Sequence, residues 1–350
     1  MHLGNVFCAL LSWLSAKSKG GEWVLRIEDL DPQRSREEYA LQLMDDLQWL
    51  GLPWDGEPVW QSQRGHIYEE YLLRLTEMGL TYPCHCTRAD IMATQAPHET
   101  DGRVVYKGTC RPRAINSINS IDAIGSIDST IRTVPATTRL IVPDCTIPFT
   151  DGHYGPHPLN LAEHCGDYIV RRKDGAWAYQ LAVVVDDALM GITEIVRGRD
   201  LLLSSPQQIH LRELLFGERK TENGTDAGSE SRSKIYFDYA EQQGGKDREA
   251  GLKRKNNSLT AHHSPLTVNF FHHPLLCNAE GQRLCKRDKS MDLGYLRNKG
   301  TTSQEIIGLL AHLAGLTDTP APITPTELLP LFSWDKVPTE DIMLDKQIML

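Results

Sequence analysis

The amino-acid sequence predicts an α/β protein built around a parallel sheet. Two observations lead to this prediction: helical patterns alternate with short strand-like runs over residues 1–83, and glycines separate these elements at short intervals. Residues 6–16 carry apolar side chains at helical spacing, and Gly20 and Gly21 are expected to end that helix. Residues 23–27 then predict a short buried strand.

Two further helices follow this strand. Asp31 is the expected N-cap of the second helix, with Pro32 in its first turn and Gly51 at its end. The third helix is expected from about residue 62 to residue 78, and Gly79 ends it. Residues 1–83 therefore predict the first half of the main α/β domain.

Two polar stretches interrupt the regular pattern. Residues 82–110 are rich in cysteine, proline and polar side chains, and residues 84–160 are interpreted as a separate subdomain. The near-repeat at 114–131 fits an irregular hairpin, but its low complexity favours an expanded surface loop. Residues 218–263 are polar and rich in Gly, Ser and Lys, which predicts a disordered insertion without a fold of its own.

Strand-like runs return in residues 161–217, the predicted second half of the main domain. Two runs flank the turn signal Lys173-Asp174-Gly175, and the second run contains the continuous apolar stretch 183–185. Another strand is expected within residues 191–202, and a capped helix follows, with Ser205 before Pro206. Residues 264–292 predict a strand, a turn and a basic loop, and residues 293–350 a helical region with its clearest helix at 303–314.

The composition is that of an ordinary globular protein. The chain has 350 residues, of which 40% are hydrophobic and 24% charged, and a formal net charge of −9. This negative net charge argues against nonspecific electrostatic binding of nucleic acid by the whole surface but is compatible with a local basic face. No apolar run has the length of a bilayer span, and no basic region precedes the first apolar stretch, so a cytoplasmic protein without membrane contact is expected. The 8 cysteines are then expected to be reduced, buried or metal-bound.

His2, Gly4 and Asn5 form a glycine turn directly before the first helix pattern. Such a turn presents backbone N–H groups at the positive end of the helix dipole, which suits phosphate. His2 could also donate a hydrogen bond to phosphoryl oxygens as charge develops during a reaction. A helix start that contains these residues by chance is the simpler interpretation of so short a pattern.

Polar side chains also stand where strands of the predicted sheet end. Glu28 and Asp29 follow the first strand, where open α/β sheets bind ligands, and a carboxylate there suits a substrate ammonium group; solvated acids are the alternative. Arg197 can bind a carboxylate through two hydrogen bonds, or it can pair internally with an aspartate. Four polar residues are expected in or just after strands, where each needs a role or a partner: Tyr179, Gln180, Asp186 and Arg197.

Three cysteines have the spacing of an incomplete metal site. Cys84 and Cys86 are one residue apart and Cys110 follows about two dozen residues later, which fits a tetrahedral zinc ion that lacks one ligand. Tyr106, one turn before Cys110, and His85 are the candidates for the fourth position. Three buried free cysteines are the alternative.

The basic loop at residues 283–290 carries lysines and arginines after a strand and a turn. These cations could neutralise a polyphosphate, whereas a solvated loop is the commoner role of such a segment.

In this order, the motifs resemble the class I aminoacyl-tRNA synthetases of the glutamyl type. The stretch His2-Leu3-Gly4-Asn5 is similar to the first class signature, HIGH, and LCKR at residues 284–287 is similar to the second, KMSKS. A closer similarity is to the short branch without an anticodon-binding domain, the glutamyl-Q tRNA(Asp) synthetases. It rests on RIEDLDP, WQSQR, YPCHCTR, RRKDGAWAYQLAVVVDD and GITEIVRGRDLL, covers most of residues 1–205 and resumes at about 271–286.

This resemblance implies a Rossmann-type catalytic sheet with an inserted zinc-binding subdomain and a C-terminal helical region. It implies a ligase that activates L-glutamate with ATP and Mg²⁺ to glutamyl-adenylate without tRNA, and then transfers glutamate to queuosine in the anticodon of tRNA(Asp). A monomer is expected, with one Zn²⁺ per chain.

The roles of individual residues are carried over from matching motif positions. Glutamate would contact Glu28, Tyr179 and Arg197. The ATP phosphates and the reaction at the α-phosphate would involve His2, Gly4, Asn5 and Lys286. Zinc would be bound by Cys84, Cys86, Tyr106 and Cys110.

The sequence also departs from the family pattern. In the family, a strand and loop similar to RFAPSPTG precede the His-Leu-Gly motif, so the first strand of the sheet is expected to be missing here and the true start to lie upstream. Cys285 stands where the family has serine, and Arg283 where it has the first lysine.

Two other functions remain as alternatives. A truncated glutamyl-tRNA synthetase would charge the tRNA acceptor end, but residues 288–350 are too few for an anticodon-binding domain. A catalytically impaired remnant would retain only zinc and tRNA contacts.

Overall fold

The computed structural model describes residues 1–31, 35–93, 105–112, 135–217, 268–284 and 291–344. The predicted loop 114–131 and the predicted insertion 218–263 lie outside the described residues, as do Pro32, Cys285 and Lys286.

Helices and strands alternate along the described part of the chain. The α-helices are α1 (Leu3–Ser18), α2 (Glu37–Trp49), α3 (Gly65–Glu77), α4 (Arg88–Ala93), α5 (Leu161–His164), α6 (Tyr179–Leu189), α7 (Ser205–Phe216), α8 (Leu293–Asn298), α9 (Ser303–Leu313) and α10 (Pro325–Leu328). The strands are β1 (Arg26–Ile27), β2 (Val59–Trp60), β3 (Thr81–Cys84), β4 (Thr137–Leu140), β5 (Thr146–Ile147), β6 (Thr150–Asp151), β7 (Gly155–Pro156), β8 (Leu159–Asn160), β9 (Ile169–Arg171), β10 (Glu194–Gly198), β11 (Asn269–His273), β12 (Leu276–Cys277) and β13 (Ile342–Met343). Short 3-10 helices occupy Gln61–Arg64, Arg199–Ser204, Leu329–Leu331 and Trp334–Lys336.

Parallel pairing, which the sequence predicts, occurs in three strand pairs. They are β1–β2, β10–β11 and β12–β13. Antiparallel pairing joins β3, β4 and β9 into one sheet and also forms β5–β8 and β6–β7. Among the described residues no strand joins β1 to β10, so the parallel strands stand in separate pairs rather than in one continuous sheet.

The prediction of a strand at residues 183–185 is wrong. These valines lie in the middle of α6, and every residue from Leu181 to Ala188 is buried. Helix α6 contacts α3, α7 and β9, so it is covered on several sides and its sequence loses the polar face by which a helix is recognised. A short apolar run without polar spacing is compatible with either element. Tyr179, Gln180 and Asp186 therefore project from a helix and not from a strand.

The predicted start of the second helix is also wrong, whereas its end is confirmed. Helix α2 begins at Glu37 with Arg36 at the N-cap, and the Asp31 carbonyl instead accepts a hydrogen bond from the Ser35 N–H over 2.8 Å in the preceding turn. At the other end Gly51 has φ +76°, the left-handed conformation that glycine adopts without strain.

Two apolar cores flank the region of β10. The first joins α1 to the C-terminal helices through side chains such as Phe7, Leu10 and Leu310, all fully buried. The second joins α3, α6 and α7, where Leu75 and Leu181 are fully buried. Full burial of each such side chain contributes roughly 2 kcal/mol. Within the described ranges, no helix combines the length and the apolar character needed to cross a membrane.

The last described strand pairs with the segment that leads into the basic loop. β13 pairs with β12, and the adjacent Asp341 carboxylate accepts two hydrogen bonds from Arg199, over 2.5 and 2.6 Å. Asp341 Oδ1 also accepts from the Leu275 N–H over 2.9 Å. The segment around Asp341 therefore fixes both Leu275, directly before β12, and Arg199, directly after β10.

Candidate active site

Arg197 lies on β10 with its side chain turned into the protein. The strand register pairs Arg197 with His272 on β11, and Arg197 is only 8% exposed. Its guanidinium donates from Nε to His272 Nε2 over 3.1 Å, from Nη1 to Gln208 Oε1 over 2.8 Å and from Nη2 to Ser205 Oγ over 2.8 Å. All three acceptors belong to residues that carry no negative charge. Since a guanidinium has five N–H donors, both terminal nitrogens keep donors beyond these three bonds.

The alternative of an internal Arg197–aspartate pair is not what the structure shows. The buried Asp186 carboxylate accepts from Gln61 over 2.9 Å, from Arg64 over 2.6 Å and from Tyr68 over 2.7 Å. This cluster joins α6 to α3 and to the turn before it, and its role is structural. No carboxylate within the described ranges lies within salt-bridge distance of Arg197.

Tyr179 and Glu28 lie within electrostatic reach of Arg197. Burial lowers the pKa of the Arg197 guanidinium, and Tyr179, Asp187 and Glu28 oppose that change. Burial in turn raises the pKa of Tyr179, while the charge of Arg197 acts in the opposite direction. The structure therefore brings together the three residues that the resemblance predicts to contact glutamate. They are a cation from β10, a phenol from α6 and a carboxylate from the end of β1.

Four residues without a recognisable sequence motif surround the Arg197 guanidinium, directly or through a neighbour: Gln208, Ser205, His272 and Asp151. Gln208 is oriented by Gln180, whose Oε1 accepts from Gln208 Nε2 over 2.8 Å. His272 contacts Asp151, with 2.6 Å between Nδ1 and Oδ2. The signal in the sequence was weak: two adjacent histidines at the end of an apolar strand, and an aspartate in a turn.

His2 and Asn5 start helix α1 as a small hydrogen-bonded turn. The side-chain oxygen of Asn5 accepts from the His2 backbone N–H over 3.2 Å, and His2 caps the helix in an extended conformation. A Cβ at Gly4 would come within 3.1 Å of the His2 ring, so glycine leaves room for this imidazole against the first turn. The arrangement presents the N-terminal N–H groups of a helix of 16 residues, a favourable setting for an anion.

The basic loop begins beside the same region. Arg283 donates to Asp200, which follows β10, and Leu284 donates its N–H to the Leu276 carbonyl over 2.9 Å. Burial and the Asp200 charge raise the pKa of the Cys8 thiol to about 11, while Arg283 and Arg197 act in the opposite direction. Helix α1, strand β10 and the start of the loop therefore meet around Cys8. Lys286 itself lies outside the described residues.

The predicted metal-binding residues form one cluster. The sulfur atoms of Cys84, Cys86 and Cys110 all lie within 4.8 Å of one another, and Cys86 Sγ is 3.5 Å from Cys110 Sγ. Sulfur ligands at the zinc–sulfur bond length lie about 3.8 Å apart around a tetrahedral ion, so the spacing fits such a metal. The Tyr106 hydroxyl is 3.4 Å from Cys84 Sγ and accepts from the Cys110 N–H over 2.7 Å.

Gly166 and Asp167 hold this cluster to the rest of the chain. A Cβ at Gly166, where φ is +62°, would come within 2.3 Å of the Tyr106 carbonyl oxygen, so only glycine permits this close approach. The buried Asp167 accepts from the Tyr82 hydroxyl over 2.6 Å and from the Val142 N–H over 2.9 Å. Although burial opposes it, hydrogen bonds from His85 and Tyr106 lower the pKa of Cys110 to about 7, which favours a metal-binding thiolate.

Comparison with known families identifies the chain as a class I aminoacyl-tRNA synthetase. The model of the family "tRNA synthetases class I (E and Q), catalytic domain" matches residues 1–222. The glutamyl-Q tRNA(Asp) synthetase of Symbiobacterium thermophilum is 37% identical over an alignment of 354 positions, gaps included. The alignment covers 98% of this chain and 92% of that protein. The protein of the same name from Nitratidesulfovibrio vulgaris is 36% identical over 358 residues, covering 100% and 93%.

A solved structure shows the same fold. The crystal structure of a glutamate tRNA ligase from Elizabethkingia meningosepticum, in complex with its amino acid, matches with a TM-score of 0.69 at 23% identity. The match covers 100% of this chain and 65% of that one. The family model and the curated relatives show that the chain belongs to the family of glutamyl-Q tRNA(Asp) synthetases and is a ligase of the aminoacyl-tRNA synthetase type.

Proposed function

We propose that this protein activates L-glutamate with ATP to glutamyl-adenylate, without needing tRNA, and transfers the glutamyl group to queuosine in the anticodon of tRNA(Asp). The observation that carries the proposal is that the charge of Arg197 is buried without a counter-ion in contact with it among the described residues. Arg197 is a buried cation whose three hydrogen-bond acceptors, His272, Gln208 and Ser205, are all uncharged. A buried charge without a counter-ion is costly, and a substrate carboxylate removes that cost.

Glutamate offers three charged groups to this site. In this proposal Arg197 binds a carboxylate of glutamate and Glu28 binds its ammonium group. Tyr179 donates a hydrogen bond from its hydroxyl to the substrate between them. Glu28 is already oriented, since its Oε1 accepts from Arg26 Nη2 over 3.1 Å. Glu28 and Arg197 have opposite charges and interact electrostatically, so together they suit a ligand that carries both an ammonium group and a carboxylate.

ATP is proposed to bind at the start of α1. His2, Gly4 and Asn5 would face the phosphates, with the helix N–H groups available as donors. Lys286 would stabilise the charge that develops on the α-phosphate when the glutamate carboxylate attacks it, and Mg²⁺ would accompany ATP as substrate. The position of Cys8 supports this proposal: its Sγ lies 3.8 Å from the carbonyl oxygen of Val196, next to Arg197, so helix α1 adjoins the strand that carries Arg197.

Zn²⁺ is proposed as the metal held by Cys84, Cys86, Tyr106 and Cys110. Bound there, zinc would act as a structural cross-link between β3 and residues 105–112. A thiolate-rich tetrahedral set favours zinc over harder cations. A cytoplasmic, monomeric enzyme is part of the same proposal.

The test is a pair of assays on the purified chain. Glutamate-dependent ATP–pyrophosphate exchange is measured without tRNA, and transfer of labelled glutamate is then measured to tRNA(Asp) with queuosine, tRNA(Asp) without it, and tRNA(Glu). Exchange without tRNA and labelling of the queuosine-containing tRNA alone are expected. Labelling of tRNA(Glu) at its acceptor end would instead favour a truncated glutamyl-tRNA synthetase, and absence of both activities would favour a binding-only remnant.

A further inference from the structure

We propose that His272 and Asp151 are positioning residues for Arg197: they fix the guanidinium in one orientation, with its charge unneutralised, and thereby set the preference for glutamate over glutamine. The inference rests on the proposed function, in which Arg197 binds a carboxylate of glutamate.

The three side chains form a chain of hydrogen bonds that is shielded from water. Arg197 Nε donates to His272 Nε2 over 3.1 Å, and His272 Nδ1 lies 2.6 Å from Asp151 Oδ2. The side chains of both His272 and Asp151 are 0% exposed. Ser205 Oγ, which accepts from Arg197 Nη2, also lies 3.3 Å from His272 Nε2 and closes a triangle around the guanidinium.

Asp151 is itself held rigidly. It ends β6, and its Oδ1 accepts from the backbone N–H groups of His153 over 3.0 Å and Tyr154 over 2.9 Å in the turn to β7. The His272 N–H lies 3.3 Å from the same oxygen. A hairpin that is distant in sequence thus supplies the carboxylate, and the backbone fixes that carboxylate before any substrate binds.

The location of the protons follows from these contacts. A guanidinium can only donate, so Nε2 of His272 must be the unprotonated nitrogen, and the ring proton sits on Nδ1 and is donated to Asp151. Burial lowers the pKa of His272, although Asp151 opposes the change, so the imidazole is neutral. Although burial opposes it, hydrogen bonds from His272 and Tyr154 hold the pKa of Asp151 below its ordinary value.

A neutral imidazole between Arg197 and Asp151 has a specific consequence. A carboxylate in direct contact with Arg197 would neutralise it and compete with the substrate. Through the imidazole, Asp151 orients the guanidinium and leaves its terminal N–H groups and its charge to a ligand. Glutamine is nearly the same size as glutamate but uncharged, so discrimination depends on a cation that is both unpaired and correctly aimed.

A structural role alone is the competing explanation. In that case His272 would matter only because it ties the β6–β7 hairpin to β11, and the bond to Asp151 would be the important one. Two substitutions separate the roles. His272→Asn places an amide donor near the position of Nδ1 and loses the acceptor for Arg197, whereas His272→Gln places an amide oxygen near the position of Nε2 and loses the bond to Asp151.

The experiment is glutamate-dependent ATP–pyrophosphate exchange by the full chain, with KM and kcat determined for glutamate and ATP and with glutamine as competing substrate. For His272→Asn we expect the KM for glutamate to rise about tenfold, the loss of one hydrogen bond to the charged group, with the KM for ATP unchanged and reduced preference over glutamine. His272→Gln keeps an acceptor for Arg197 but loses the orientation that Asp151 supplies, so a smaller rise of about threefold is expected. His273→Asn, at a buried histidine next on the strand that does not contact Arg197, is the control and is expected to leave the KM for glutamate unchanged.

The reverse order, with His272→Gln impaired and His272→Asn normal, would overturn the inference. If His272→Asn fails to fold, Asp151→Asn serves instead, with an expected rise of a few-fold in the KM for glutamate. Nitrogen-detected NMR of the imidazole rings gives a readout independent of activity: the Nδ1–H tautomer supports the inference and the Nε2–H tautomer overturns it. Wild type without any glutamate-dependent exchange would instead refute the proposed function.

Discussion

Arg26 donates from Nη1 to Asp187 Oδ1 over 2.5 Å, which joins β1 to α6 at the rim of the site. The two residues are 161 positions apart in the sequence. Arg26 also donates from Nη2 to Glu28. Although burial opposes it, these two carboxylates raise the pKa of Arg26. One ion pair therefore supports the carboxylate that is proposed to hold the substrate ammonium group.

Asp187→Asn is expected to destabilise the fold. Removal of this partner leaves the partly buried Arg26 paired only with Glu28. Burial raises the pKa of Asp187 and so offsets part of what its charge contributes, and the free energy of unfolding should therefore fall by about 1 kcal/mol. Urea denaturation followed by circular dichroism measures this value. Asp174→Asn, which removes an exposed partner of Arg172, is the control and should leave stability unchanged. Equal stability of both variants would show that the Arg26–Asp187 pair does not stabilise the fold.

Arg197→Lys should impair glutamate activation although it keeps the charge. A lysine has no planar fork, so it cannot contact His272, Gln208 and Ser205 and bind a carboxylate at the same time. We expect kcat/KM for glutamate to fall about 100-fold in pyrophosphate exchange. Arg199→Lys, at an exposed arginine that pairs with Asp341, is the comparison and should stay within about threefold. Similar values for the two variants would count against Arg197 as the carboxylate ligand.

Zinc content tests the cysteine cluster. Elemental analysis of the purified chain should find one zinc per molecule, and Cys110→Ser should lose most of it because the thiolate with the lowered pKa is removed. Chelation should also lower the thermal midpoint of unfolding. Cys145→Ser is the matched control, since Cys145 is exposed and lies outside the cluster. A chain without zinc that keeps its full stability would favour three buried free cysteines.

His273 predicts a loss of stability in acid. Burial lowers its pKa to about 4, and its Nε2 has no hydrogen-bond partner within the described residues. An unfolded histidine titrates near about 6.5, so between these values the unfolded chain binds a proton that the folded chain does not. Stability therefore falls as pH decreases from 6.5 toward 4.

His273→Leu should reduce this loss by about 2 kcal/mol between pH 7 and pH 4.5. Urea denaturation at the two pH values measures the difference, and the exposed His164→Leu should not change it. Parallel pH profiles for wild type and His273→Leu would contradict the assignment.

The sequence predicted helices well where one face is apolar and the ends carry stop signals. Helices α1 and α9 and the glycine ends of α2 and α3 are examples. The stretch at 183–185 failed because a helix covered on several sides has no polar face, and valines there also suit a strand. The N-cap at Asp31 failed because Asp31 engages in a turn that precedes the helix.

The residues of the candidate site that belong to recognisable family motifs could be predicted from the sequence. Glu28, Tyr179 and Arg197 come from three segments, and the resemblance joined them before any geometry was considered. His272 and Asp151 could not be found in this way, because their roles depend on the register of β10 with β11 and on a hairpin from the cysteine-containing region. The predicted domain boundaries and the role of Lys286 stay predictions.

The pairing of β12 with β13 has a consequence for biosynthesis. Residues 276–277, just before the basic loop, find their parallel neighbour only at residues 342–343, and Arg199 finds its carboxylate only at Asp341. A ribosome releases the chain from its N-terminal end, so these contacts form only after residues 341–343 have emerged. The strand that leads into the basic loop therefore gains its parallel partner later in synthesis than β1 and β10 gain theirs.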